Sequence, residues 1–340
     1  MSLLAPISYL VSYLFILFLI VLFSVGVLLI IKKFFSKVFH SIKEVKNSPQ
    51  FIVPPEVGKV GLAPGRIFWL WGTGLAGIYF GLPLTNHLIF ISILFGFLTL
   101  CLGHSVGLHR GIIHKTYKTS KIFRNILAYL FIFTGLGGPI TWLKLHYYRD
   151  YWQNRKDCPP YFGYDHSLSK DFFWNLHTHF EPNKSDFDRY KIPAEDLNDP
   201  WLLFLEKTWV LHNLLLAVIV WAIWGEQVMG VCVFARVAAS IMGHWYIGFR
   251  AHTHGYQRFT IDGADVSGTN LLFLGLISFG EGFHNNHHAH PKSARMGMKW
   301  YEIDMGWWMV KIFENLGLVW DVQAWDRAPL TRKLEARLVL

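Results

Sequence analysis

Residues 280–291 read GEGFHNNHHAHP, and the rest of the chain is best read outward from them. His284, His287 and His288 stand at i, i+3 and i+4. On a helix those positions share one face, so the three imidazoles are expected to converge on one point. Neutral imidazoles in that number suit a borderline transition metal such as iron, zinc, nickel or copper. Pro291 lacks the N–H that another turn needs and is expected to end the helix. The flanks are apolar and aromatic, which sets this cluster apart from a solvated group of surface histidines.

The surroundings point to a membrane. The chain has 340 residues, 52% hydrophobic and 17% aromatic, with 16% charged. A soluble domain averages about 25% charged residues. The expected fold is therefore all-α, a polytopic membrane protein. The formal net charge of +9 would suit nucleic acid in a soluble protein. Here it reads as positive cytoplasmic loops and attraction to anionic headgroups, with no nucleic-acid partner expected. Cys101, Cys158 and Cys232 are odd in number and form no CxxC pair, which argues against a disulfide framework or a zinc thiolate site.

Hydropathy divides the chain. Residues 7–31 are apolar without a charge, long enough for a span and too long for a signal peptide. Lys32, Lys33, Lys37, Lys43 and Lys46 follow, so the linker 32–65 is expected on the cytoplasmic side. Segments 67–82 and 88–107 read as a first transmembrane hairpin, and 201–224 with 228–249 as a second. Segment 122–140 is apolar, but Gly135, Gly137, Gly138 and Pro139 argue for an interfacial or re-entrant helix. Segment 267–279 is short and reads as re-entrant or packed beneath the metal site. Five spans result: two hairpins plus an extra N-terminal span, with a cytoplasmic helical cap. His109, His114, His146, His252, His284, His287 and His288 then fall on one face. The expected divisions are 1–31, 32–65, 66–322 and a basic tail at 323–340.

Seven histidines from distant parts of the chain supply ligands for more than one metal. HRGIIH at 109–114 has the form H-x-x-x-x-H, HNNHH occupies 284–288, and AHTHGY at 251–256 carries His252. With these three motifs and the stretch KWYEIDMGWWM, the chain resembles the membrane fatty-acyl desaturases, nearest the acyl-CoA and acyl-lipid Δ9 branch. The likeness runs from about residue 66 to about 322. It departs from the family at the second histidine box, which reads H-R-x-H-H there. Here the box is His146-Tyr147-Tyr148-Arg149-Asp150, so Arg149 and Asp150 stand where two ligand histidines are expected. Gly248 also stands where the family has an asparagine, four residues before His252.

The resemblance implies two iron ions per chain, O2 as co-substrate, and a fatty-acyl substrate as CoA thioester or lipid. It also implies membrane lipid around the spans and an electron donor of ferredoxin or cytochrome b5 type, since no nucleotide-binding fingerprint is present. Asp150, at i+4 from His146, is expected to replace a histidine as a metal ligand. Arg149 cannot ligate and is expected to pair with Asp150 or with a substrate headgroup. Glu281 and Asp304 are candidates for orienting ligand N–H groups, or for surface ion pairs. His104, His166, His177, His179, His244, His254 and His290 read as packing or surface residues, and His87 and His212 as structural. Three alternatives stay open: a related acyl hydroxylase, a non-catalytic lipid-binding protein of the same fold, and more distantly a His-ligated haem carrier.

Overall fold

The computed structural model describes residues 36, 52–326 and 334–336. The expected span 7–31 lies outside the described residues, as do most of the linker and most of the basic tail. Ten helices carry the described fold: α1 (Pro64–Gly81), α2 (Asn86–Ile113), α3 (Lys121–Ile132), α4 (Pro139–Gln153), α5 (Leu168–His177), α6 (Pro200–Trp224), α7 (Glu226–Thr253), α8 (Leu272–Ile277), α9 (His284–Ala289) and α10 (Met305–Asn315). A short 3-10 helix (Lys184–Tyr190) and a single α-helical turn (Ala194–Leu197) lie between α5 and α6.

Helices α2, α6 and α7 are long and apolar enough to cross a membrane. Leu211, Val218, Trp221 and Trp224 of α6 all stand more than half exposed, as they would against lipid rather than water. The expected span at 67–82 is helical as α1, but it falls short of that criterion. Arg66 and its repeated glycines dilute its apolar content. Those glycines bring it close to α7 instead. A Cβ on Gly77 would come within 2.7 Å of the Ala235 backbone, and one on Gly81 within 3.1 Å of Val231, a small-residue contact suited to membrane helices.

The segment expected to be re-entrant or interfacial is α3, only 12 residues long. At 1.5 Å per residue it reaches about 18 Å, well short of a hydrocarbon core of about 30 Å. Leu127, Ala128, Phe131 and Ile132 are buried, while Ile122 and Ile126 face outward. Its buried face lies tight against Gly103 and Gly107 of α2.

Charges inside the apolar runs find partners. Glu206 of α6 accepts from Ile140 N (2.8 Å) and Thr141 N (3.0 Å), satisfying the first turn of α4. Arg236 of α7 donates to the Cys232 carbonyl (2.7 Å) and to Thr99 Oγ1 (3.2 Å).

Among the described residues, three two-stranded antiparallel sheets qualify the all-α expectation. β1 (Gly58–Leu62) pairs with β3 (Thr178–Pro182), β2 (Lys118–Thr119) with β5 (Val319–Trp320), and β4 (Phe259–Ile261) with β6 (Leu334–Ala336). The linker thus ends in a strand, and part of the tail folds back beside the segment that follows α7.

Candidate metal centre

The box HRGIIH occupies the end of α2, and its spacing is wrong for an α-helix. Five residues at 3.6 per turn leave two side chains about 140° apart. From Phe97 to Ile113, however, the helix is wound in the wider π form, and His114 N bonds the His109 carbonyl five residues back (3.0 Å). That winding brings the fifth residue back over the first, so the His109 and His114 rings meet at 4.8 Å.

His146 comes in from α4. Its Nε2 lies 3.0 Å from Nε2 of His109 and 3.3 Å from Nε2 of His114. His287 of α9 closes the group, with its ring 4.7 Å from His109 and 4.6 Å from His114. Ligand atoms of His109, His114, His146 and His287 lie within 4.8 Å of one another, and those of His252, His284 and His288 form a second such group.

The imidazoles of His284, His287 and His288 therefore do not converge on one point. Positions 287 and 288 differ by about 100° around the helix axis. His284 and His288 (ring centroids 4.5 Å apart) turn toward His252, while His287 turns toward the other group. The short helix α9 stands between the two groups and serves both. It ends at Ala289, just ahead of His290 and Pro291, as the proline requires.

The two asparagines between the histidines hold this helix in place. Asn285 Oδ1 accepts from Arg258 N (2.7 Å) and Phe259 N (2.8 Å). Asn286 donates to the Met296 carbonyl (2.8 Å) and exchanges hydrogen bonds with Asn270. Gly280, at φ +100°, allows the chain to pass where a Cβ would strike Asp304 and Arg110.

Arg110, fully buried beside His109, organises the space behind the first group. It pairs with Glu281 (3.0 Å) and Asp304 (3.0 Å) and donates to the Ala294 carbonyl (2.8 Å). Glu281 Oε2 lies 2.6 Å from Nδ1 of His109, though not in line for a hydrogen bond. Asp304 touches no histidine. It is buried, accepts from Met296 N and Trp307 N, and caps α10. Neither carboxylate is a surface ion pair. Arg110 had a signal in its place inside the first box; the asparagines had one only in sitting between ligands.

Asp150 stands outside both groups. Its Oδ2 lies 3.5 Å from Nδ1 of His146, on the side of the ring away from the cluster. Arg149 does not pair with it. Its guanidinium donates to the Tyr164 hydroxyl (2.7 Å) and to Asn175 Oδ1. Tyr164 in turn stacks on His252, with centroids 4.0 Å apart and planes 9° apart. Nothing in the sequence signalled Tyr164. Of the two altered box positions, Arg149 is the one that reaches the second group, through Tyr164. Beside it, Gly248 leaves open space.

The donor set fits metal. His252 Nδ1 donates to the Gly248 carbonyl (2.6 Å), which leaves Nε2 as the lone-pair atom, buried and without a hydrogen-bond partner among the described residues. Burial pulls His284 down to about 4 and holds His287 well below the usual imidazole range. Both rings are therefore neutral at physiological pH, the form in which an imidazole can offer a lone pair to a metal.

Members of both groups border one cavity of about 630 Å³, which is also lined by Trp142, Trp209, His244, Ile247 and Phe249. The fatty acid desaturase family model matches residues 83–321. The chain belongs to the fatty acid desaturase family.

This enzyme is 30% identical over 244 residues to the sn-2 palmitoyl-lipid 9-desaturase of Nostoc sp. (strain 36), covering 71% of this chain and 81% of the relative. It is 29% identical over 241 residues to the sn-1 stearoyl-lipid 9-desaturase of Anabaena variabilis, with 70% and 84% covered. An acyl-CoA 5-desaturase of Anemone leveillei is 30% identical over 223 residues, covering 65% and 67%. The family is membrane-bound and generally iron-dependent, and the chain is accordingly an oxidoreductase of the desaturase type.

Proposed function

We propose that this enzyme introduces a double bond into a long fatty-acyl chain, carried as a lipid or a CoA thioester, using two iron ions held by the two histidine groups. The observation that carries the proposal is that members of both groups border one largely apolar cavity, about 630 Å³ in volume, a size suited to a single extended ligand. His109, His114, His146 and His287 would hold one iron, and His252, His284 and His288 the other. When bound, the irons supply the power to remove two hydrogens from unactivated methylenes with O2 and two electrons. The balance is –CH2–CH2– plus O2, two electrons and two protons giving –CH=CH– and two waters.

The chain's own residues bind, orient and shield. Trp142, Trp209 and Ile247 line the acyl path and exclude water. Glu281 would orient His109, and Asp150 would orient His146, each from the ring nitrogen turned away from the metal. This gives Asp150 the place of an outer partner rather than a ligand. The metal face would be cytoplasmic, and electrons would arrive from a separate acidic donor of ferredoxin or cytochrome b5 type, drawn by the basic surplus of +9.

The three-imidazole second group, faced by Arg149 and Tyr164, favours one alternative outcome of the same C–H cleavage, hydroxylation. Expression in a host with a simple lipid profile, followed by mass spectrometry of its fatty acids, tests both. A new unsaturated species supports desaturation and a hydroxylated one the alternative. An unchanged profile in cells supplied with donor protein would contradict both.

A further inference from the structure

Two imidazoles in the cavity belong to neither metal group. His104, on the π-wound part of α2, and His244, on α7, meet edge to face with centroids 4.7 Å apart. Trp142 packs edge-on against both, at 5.0 Å and 4.8 Å. His104 is buried, and its Nε2 has no hydrogen-bond partner among the described residues. Both rings line the cavity. His104 also stacks on His109, a candidate ligand, at 6.0 Å and 18°.

A hydrocarbon chain gives such rings nothing to bond, and an unsatisfied buried polar group costs free energy that a leucine or valine there would not. The pair does not make a third metal site. Of the carboxylates on the cavity lining, Glu281 is already committed to Arg110 and Ser105, Glu206 to the first turn of α4, and Asp171 to His166 and Trp245, and two imidazoles alone make a poor cage.

We propose that His104 and His244 bind an oxygen carried on the acyl chain, so that the preferred substrate is an oxygenated long acyl chain, hydroxy or keto, rather than a plain one. A neutral imidazole offers one donor and one acceptor. Two of them lining the same cavity, with ring centroids 4.7 Å apart, can donate to a hydroxyl oxygen and accept its hydrogen bond, or donate together to a keto oxygen. Because His104 lies one ring from His109, the bound oxygen sits a few carbons from the methylenes to be oxidised. The pair thereby sets both the choice of chain and its register along the cavity. This inference rests on the acyl-chain reading of the cavity.

The test is a binding series on the purified native protein in micelles, read by quenching of tryptophan fluorescence, with stearate and a positional series of monohydroxystearates as probes. A narrow set of hydroxyl positions should bind about tenfold tighter than stearate, the worth of one added hydrogen bond in an otherwise apolar site. The double change His104→Val with His244→Val should keep stearate binding and abolish the preference, while His244→Asn, which can still hydrogen-bond, keeps part of it. If no isomer outbinds stearate in the native protein, the proposal is overturned, whatever the variants do. A preference that survives the double change overturns it too. If stearate and every hydroxystearate fail to bind, the acyl reading of the cavity falls first and takes this inference with it.

Discussion

Asp150 gives the sharpest separation between a ligand and a residue that acts through one. Its Oδ2 lies 3.5 Å from Nδ1 of His146, while Nε2 of the same ring faces the four-histidine group. Removing a carboxylate partner from a ligand histidine costs about 10–100-fold in metal affinity. The lower end applies here, because the separation is long and the Asp150 side chain is 33% exposed, so water screens the contact and replaces the carboxylate. Asp150→Ala should therefore lower metal affinity by about tenfold, or about 1.4 kcal/mol, with metal content unchanged at saturation. Asp150→Asn, which keeps an acceptor oxygen, should stay close to native. The assay is chelator competition on purified, iron-loaded protein, with iron per chain measured by mass spectrometry before and after the challenge. Loss of a whole metal equivalent in Asp150→Ala would make the carboxylate a direct ligand and refute the outer placement. An unchanged chelation curve would show that His146 needs no orienting partner.

Two further perturbations probe the frame around the site. Asp304→Ala strips Arg110 of one buried partner and leaves Met296 N and Trp307 N without an acceptor; because Glu281 still faces the guanidinium, the loss should fall near the low end of about 3–5 kcal/mol, and denaturant unfolding in micelles that moves by less than about 1 kcal/mol would contradict the buried pairing. Cysteines placed at Lys118 and Lys144 should label from the same aqueous side, because α3 between them has only 12 residues; labelling from opposite sides would break the one-face arrangement of the histidines.

Much of this architecture is legible in the chain because hydropathy and histidine spacing act locally. The apolar runs at 201–224 and 228–249 became α6 and α7 almost residue for residue, and glycines 135, 137 and 138 ended α3 short of a span. Three features were not legible, each for a physical reason. The π winding of α2 depends on packing, since nothing in HRGIIH distinguishes i→i+5 bonding from i→i+4. The split of GEGFHNNHHAHP over two groups depends on where α4 and α7 approach α9, and a face read from spacing alone blurs a 100° divergence into one direction. Tyr164 reaches His252 only through the tertiary fold and Arg149, from a loop whose sequence carries no metal-site signal. Arg149 and Asp150 were read together as one altered box; in space they serve different groups, one beside His252 through Tyr164 and the other behind His146.

The central claim is that two histidine groups hold two metals, with α9 shared between them. Iron per chain in purified protein, native beside His287→Ala and His252→Ala, measures it directly. The account predicts two irons in the native protein and one in each variant, with each variant losing a different one. Native protein that binds a single iron, or none, after reconstitution with ferrous iron would contradict it. So would a His287→Ala protein that still holds both.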